Sequence, residues 1–301
     1  KIIYITILNF WVLNMSNKST DLFLERIANA LERIAPPEKK INNLDQGEGF
    51  VFDSKTGLLR PVKEINRIPL SLLQGIHHQK EILLNNTHNF AQNLPANNAL
   101  LWGARGTGKS SLVKAVHADV LEKTNSKHLK LVEIHREDIS ELPELLSLLS
   151  QNKDYKFLLL CDDLSFDAGE NTYKSLKAAL DGGIEGKPEN VLFYATSNRR
   201  HLMPRDMMEN ERSTAINPSE SVEEKVSLSD RFGIWIGFHN MSQEIFLEII
   251  YAYCNEFKIT ENKDVIRSEA LEWSITRGAR SGRVAWQFVQ DLAGRNKIQI
   301  N

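Results

Sequence analysis

Asn97–Leu112 reads NNALLWGARGTGKSSL, and its three parts arrive in an order that decides the fold. Ala99–Trp102 is an apolar run of strand length. Gly103-Ala104-Arg105-Gly106-Thr107-Gly108-Lys109-Ser110 follows at once and matches G-x-x-x-x-G-K-[ST], with Ser111 next. Leu112, Val113, Ala115 and Val116 then fall at helical spacing. Glycines let such a turn fold back so that main-chain N–H groups point inward, and the new helix aims its positive end at the same place. The expectation is a nucleoside triphosphate cradled by residues 103–111. Lys109 would place a charge on the β- and γ-phosphates, and the Ser110 hydroxyl would be a ligand for Mg²⁺.

The rest of the chain is consistent with one such domain and a smaller second one. The 301 residues are 42% hydrophobic and 25% charged, ordinary for a globular protein with a sizeable core. A formal net charge of −2 argues against a general nucleic-acid or membrane coat. Cys161 and Cys254 lie far apart without metal-ligand spacing, so reduced thiols and a cytoplasmic location are expected. No stretch reaches the roughly 18–20 apolar residues that span a bilayer. Lys1–Asn14 (KIIYITILNFWVLN) lacks a small-residue cleavage site and precedes Met15; it reads as an upstream extension with Met15 as the start.

Residues 15–71 read as an N-terminal helix and linker. Leu22, Phe23, Ile27, Ala30, Leu31 and Ile34 share one side of the helix, Pro36-Pro37 ends it, and an extended or hairpin-like piece follows at Val51–Leu59. From residue 72 to about 240 strands and helices alternate. Strands are expected at Leu129–Ile134, Lys156–Cys161, Val191–Thr196 and Ile234–Phe238, and helices at Glu141–Leu149 and Asn171–Leu180. That alternation predicts an α/β fold with a parallel sheet covered on both faces. Arg199–Val226 is a long polar connection with Met203, Met207 and Met208, of a length usually functional. Residues 241–301 turn purely helical, at Gln243–Phe257, Ser268–Thr276 and Arg283–Ala293, and form the expected second domain, a lid.

A second set of chemical groups accompanies the phosphate loop. Phe157–Cys161 is an apolar strand opening onto Asp162-Asp163. Ligands of open α/β sheets bind beyond the carboxyl ends of the strands, so Asp162 is expected to hold Mg²⁺ and Asp163 to orient the attacking water. Asn198 ends the next strand and would set an amide beside the γ-phosphate. Arg231, in Ser227-Leu228-Ser229-Asp230-Arg231-Phe232-Gly233, is a candidate to neutralise phosphoryl charge in the site of a neighbouring subunit. Arg277, Arg280 and Arg283 open the last helix. Arg283 is the candidate to reach the γ-phosphate, Arg280 its alternate, and the three together a candidate nucleic-acid patch.

With these parts in this order the chain resembles the AAA+ ATPases from about Leu72 to Ala293. Gly103–Ser110 is similar to Walker A, Leu158–Asp163 to Walker B, Asn198 to sensor 1, Leu228–Phe232 to an arginine-finger motif and Arg283 to sensor 2. Leu73-Gln74-Gly75-Ile76 resembles the short motif that closes over the adenine, which implies nucleotide contacts for Gly75 and Ile76. NNALLWGARGTGKSSLVKA, LLLCDDLSF, ATSNRRHLMP and SLSDRFGIWIGF look like an uncharacterised bacterial AAA+ family, a domain of unknown function. The resemblance implies a P-loop NTPase core with a C-terminal helical lid, ATP and Mg²⁺ as ligands, ATP hydrolysis to ADP and phosphate, and a homo-oligomeric switch or remodeller. One departure is the second acid, aspartate where glutamate is more usual. The Asp-Asp pair also resembles replication initiators and helicase loaders, so a DNA-associated switch of low turnover is the alternative; a kinase-like phosphotransferase is a third.

Overall fold

A computed structural model describes residues 20–30, 44–124, 128–167, 172–184, 186–202 and 228–300. The chain divides into two units, residues 1–40 and 41–301. In the first, residues 20–30 form a helix (α1) on which Leu22, Phe23 and Ile27 are exposed. The expected end of that helix, the leader 1–14 and most of the polar connection, including the three methionines, lie outside the described residues.

The second unit is built on a seven-stranded sheet. Its strands are β1 (Gly49–Asp53), β2 (Leu58–Val62), β3 (Ala99–Gly103), β4 (Leu129–Glu133), β5 (Lys156–Cys161), β6 (Val191–Ser197) and β7 (Ile234–Phe238), in spatial order β2-β1-β4-β5-β6-β3-β7. All neighbours are parallel except the β1–β2 hairpin. β5 shows why the strands read as unbroken apolar runs. Phe157, Leu159 and Cys161 enter the core on one face, and Leu158 and Leu160 enter the core on the other. Helices α2 (His77–Ala91) and α3 (Lys109–Thr124) supply Leu83, Phe90, Leu112 and Val116 to the second of these cores. Helices α4 (Leu142–Ser150) and α5 (Tyr173–Asp181) supply Leu145, Leu149, Leu176 and Leu180 to the first. Pro143 in the first turn starts α4, and Gly182, in the left-handed region at φ 78°, ends α5.

Two expectations change here. Composition sets residues 15–71 apart as helix and linker, but β1 and β2 extend the core sheet, because Gly49–Val51 pair in parallel with Leu131–Glu133. The Lys55–Gly57 turn that joins them is the hairpin foreseen. The middle helix of the lid starts at Lys263 instead of Ser268, because the Asn262 side chain accepts a hydrogen bond from the Asp264 N–H and caps it.

The lid consists of α6 (Gln243–Glu256), α7 (Lys263–Thr276) and α8 (Gly282–Arg295) around Phe246, Ile250, Ala270, Phe288 and Leu292. Burying each large apolar side chain contributes about 1.5–3 kcal/mol. The exposed Arg295–Glu269 pair, at 2.5 Å, contributes about 0–1 kcal/mol, so the apolar stripe holds the lid together.

His117 on α3 is fully buried; its Nε2 lies 3.3 Å from the Leu129 carbonyl oxygen, and Nδ1 has no partner among the described residues. Burial pushes its pKa down to about 4, against the pull of that carbonyl and aided by Arg67 and Lys130. A base held neutral in the fold but titrating near 6.5 when unfolded stabilises the fold above pH 6.5 and loses that contribution as pH falls toward 4. Urea unfolding should therefore show an acid limb of roughly 3 kcal/mol between those pH values that flattens in His117→Leu. Parallel acid limbs in the two proteins would show that His117 does not titrate on unfolding.

Candidate functional site

Strand pairing brings the scattered motifs to one place. β5, β6 and β3 lie side by side and parallel, so their carboxyl ends open on the same edge. There the Ser110 hydroxyl, on the first turn of α3, donates to Asp162 Oδ1 at 2.6 Å across 52 residues of sequence. Lys109 Nζ donates to the carbonyl oxygens of Gly103 (2.8 Å) and Ala104 (2.7 Å) and to Asn198 Oδ1 at 3.3 Å. The Asn198 amide in turn donates to Asp163 Oδ1. Lys109, Asn198 and Asp163 thus form one chain of hydrogen bonds. The Lys109 ammonium is held below the ordinary lysine pKa chiefly by burial; Asp162 and Asp163 oppose that shift and Arg105 adds to it.

These groups line a cavity of about 500 Å³ between sheet edge and lid, within the range of small-molecule and cofactor sites. Arg105–Ser111, Asp162, Asp163, Asn198 and Arg283 make its polar end. Ile68, Leu72, Leu73, Ile76, Ile249 and Tyr253 make an apolar end, with Met241 and Trp286 beside them. Lid and loop are joined directly, since the Gly282 N–H at the start of α8 donates to the Gly106 carbonyl oxygen at 2.8 Å. The polar donors suit Mg²⁺: Ser110 and Asp162 offer hard oxygens from two residues, and Mg²⁺ characteristically takes one or two protein ligands and completes its shell with phosphate and water. Among the described residues there is no group of three or more His, Cys, Asp or Glu that could hold a metal.

The expected residues do not all face the cavity. Gly103 and Ala104 lie at its back and present their carbonyls to Lys109. Gly75, at φ 73°, is turned toward the lid, where a Cβ would come within 2.4 Å of the Ile245 side chain; its neighbour Ile76 lines the cavity. Arg231 does not line the cavity, and its Nε donates to Asp181 Oδ1 at 2.7 Å, at the end of α5. The three lid arginines part company. Arg283 lines the cavity, Arg280 lines a neighbouring cleft with Ala104 and Arg105, and Arg277 lies 5.1 Å over the ring of Trp273.

Sequence reasoning missed Thr196, Ile249, Tyr253 and Trp286. The last three belong to the apolar faces of α6 and α8, where a cavity-lining side chain has the same spacing as a core one. Thr196 immediately precedes Ser197-Asn198 at the end of β6 and reads as an ordinary β-branched strand residue.

The sequence matches the family described as "Protein of unknown function (DUF815)" over residues 46–296. The chain belongs to that family. No curated protein matches the sequence. Among solved structures, ORC1 of Aeropyrum pernix, solved in complex with DNA, is similar at TM-score 0.52 and 14% identity, covering 80% of this chain and 65% of that one. ORC2 of the same organism, with ADPNP and ADP, is similar at TM-score 0.48 and 11% identity, covering 75% and 70%. AMPPCP-bound DnaA from Aquifex aeolicus is similar at TM-score 0.47 and 17% identity, covering 72% and 61%. This chain therefore spans less than two thirds of the length of ORC1 and of DnaA. At 14% identity the likeness to ORC1 is one of fold. The fold of this DUF815 chain is that of the AAA+ P-loop NTPases, with a mostly parallel sheet flanked by helices.

One contact at the mouth of the phosphate loop has no tolerance. Gly103 sits at φ 135°, and a Cβ there would lie 1.9 Å from the Phe238 carbonyl oxygen, the acceptor of the Ala104 N–H at 3.2 Å. Gly103→Ala should force β7 away and destabilise the core by roughly 3 kcal/mol or more in urea unfolding. An unchanged midpoint would show that β7 is free to move there.

Proposed function

We propose that this chain is an ATP-binding, Mg²⁺-dependent ATPase that works as an oligomeric molecular switch or remodeller of a client. The observation that carries the reading is the 2.6 Å contact between Ser110 and Asp162, with Lys109 one residue away and buried. A hydroxyl, a carboxylate and a lysine converge beside the glycine-rich loop, which is equipment suited to phosphate bound with a divalent cation. The adjoining apolar lining, with Tyr253 and Ile76, supports placing a purine there.

In this reading Lys109 and the loop N–H groups hold the β- and γ-phosphates, and Ser110 and Asp162 hold the cation. When bound, Mg²⁺ supplies charge neutralisation at the phosphoryl oxygens. Asp163 orients water for attack, Asn198 fixes that carboxylate, and Arg283 brings positive charge from the lid. The hydrogen-bond chain from Lys109 through Asn198 to Asp163 supports a coupled role, because a phosphate drawing Lys109 forward pulls on the same amide that holds the acid. Arg231 belongs to this scheme as the group completing a neighbour's site, consistent with its position outside its own cavity. ATP then favours assembly, because the contact of a neighbour's Arg231 with the γ-phosphate is made only in aligned subunits, and hydrolysis removes it.

No described helix is long and apolar enough to cross a membrane. A cytoplasmic setting is supported by Cys161 and Cys254, both buried free thiols.

Lys109→Ala should abolish measurable ATP binding in calorimetry, and unchanged affinity would refute the phosphate cradle. Arg231→Ala should leave ATP affinity within about twofold while turnover falls by about 10³-fold, the scale of a lost phosphoryl-stabilising arginine. Because that change also breaks the ion pair to Asp181, Asp181→Asn is the control and should retain turnover. Equal losses in Arg231→Ala and Asp181→Asn would assign Arg231 a structural role.

A further inference from the structure

We infer that Thr196 is a positioning residue that aims both acids of the site through a single hydroxyl. The inference rests on the nucleotide reading above and adds a group to which the motif reading gives no role. Thr196 is buried at the end of β6, the strand between β5 and β3, and it lines the cavity beside Asp162 and Asp163. Its hydroxyl has one proton to give and two lone pairs to offer. The proton goes to Asp162 Oδ1 at 2.5 Å, and the oxygen accepts the Asp163 N–H at 3.0 Å. The Thr196 carbonyl oxygen also accepts the Leu164 N–H at 2.7 Å, so the turn carrying the acids is pinned to β6 at two successive points.

That pinning matters because Asp163 sits in the left-handed region, at φ 53°, which a non-glycine residue keeps only when its surroundings fix it. Released from Thr196, the peptide before Asp163 is free to rotate, and the carboxylate leaves the Asn198 amide. Asp162 is held by two hydroxyls, those of Ser110 and Thr196, on the same oxygen. Once Ser110 turns to serve a cation, its proton no longer serves Asp162 in the same way, and Thr196 becomes the group that keeps this carboxylate directed. Groups that orient a metal ligand in this manner typically matter by 10–100-fold in metal affinity or activity.

The test compares Thr196→Val, which keeps shape and loses the hydroxyl, with Thr196→Ser, which keeps the hydroxyl. Binding of a fluorescent ATP analogue is titrated with MgCl₂, and steady-state turnover is measured alongside. Thr196→Val should bind nucleotide in EDTA like the wild type, need about tenfold more Mg²⁺ for half its metal-dependent gain in affinity, and lose about 10–100-fold in kcat. Thr196→Ser should restore both to within about threefold. Should Thr196→Val fail to fold, Thr196→Ala replaces it with the same expectation, and a Thr196→Ser protein that folds yet loses its Mg²⁺ response overturns the proposal by itself. A wild-type Mg²⁺ response that Thr196→Val reproduces unaltered overturns the role of Thr196 and leaves the nucleotide site standing. A wild-type protein whose ATP affinity ignores Mg²⁺ removes both.

Discussion

Parallel pairing of β5, β6 and β3 is the constraint from which the site follows. Each strand ends in a chemical group, Asp162-Asp163, Asn198 and the phosphate loop respectively, and parallel register brings all three ends to one edge of the sheet. A one-residue slip of β5 would exchange its two faces, sending Leu158 and Leu160 into the wrong core and Asp162 away from Ser110. Because both faces of β5 are packed, that slip is opposed by the mismatch of exchanging Phe157, Leu159 and Cys161 with Leu158 and Leu160 in two close-packed cores. The hydrogen bonds in the site are individually modest and inherit their geometry from the packing of these strands.

The lid adds what the sheet edge lacks. The edge offers the Asp162 and Asp163 carboxylates, the Ser110 hydroxyl and the Lys109 ammonium, while α6 and α8 bring Ile249, Tyr253 and Trp286 to the apolar end. Part of the cavity wall is therefore made by a helical bundle with its own core, around Phe246, Ile250 and Phe288. Leu73 and Ile76 of the sheet unit complete the apolar end, and Arg283 of α8 reaches the polar one, so both bodies contribute to each.

Much of the fold was legible because its signals are local. The loop motif, the apolar strand before Asp162-Asp163, Pro143 at the start of α4 and Gly182 at the end of α5 each state their structure within a few residues. What stayed hidden depends on partners distant in sequence. Nothing in Val51–Leu59 announces that β1 will pair with β4, since the pairing partner lies about 80 residues away. Tyr253 has the helical spacing of a core residue, and only its place in α6 above the loop makes it a wall of the cavity. Thr196 reads as a strand residue because its distinguishing property is the direction of a hydroxyl toward Asp162. The ion pair that Arg231 makes with Asp181, 50 residues earlier, was not legible for the same reason.

The bond from Gly282 N–H to the Gly106 carbonyl has a mechanical consequence. It links backbone to backbone between two glycines: Gly106 sits at φ 72°, and a Cβ at position 282 would lie 3.2 Å from the accepting carbonyl oxygen, while an imino acid there would delete the donor altogether. The first turn of α8 is thereby tied to the glycine loop at main-chain atoms, at a point of close approach where both partners are glycine.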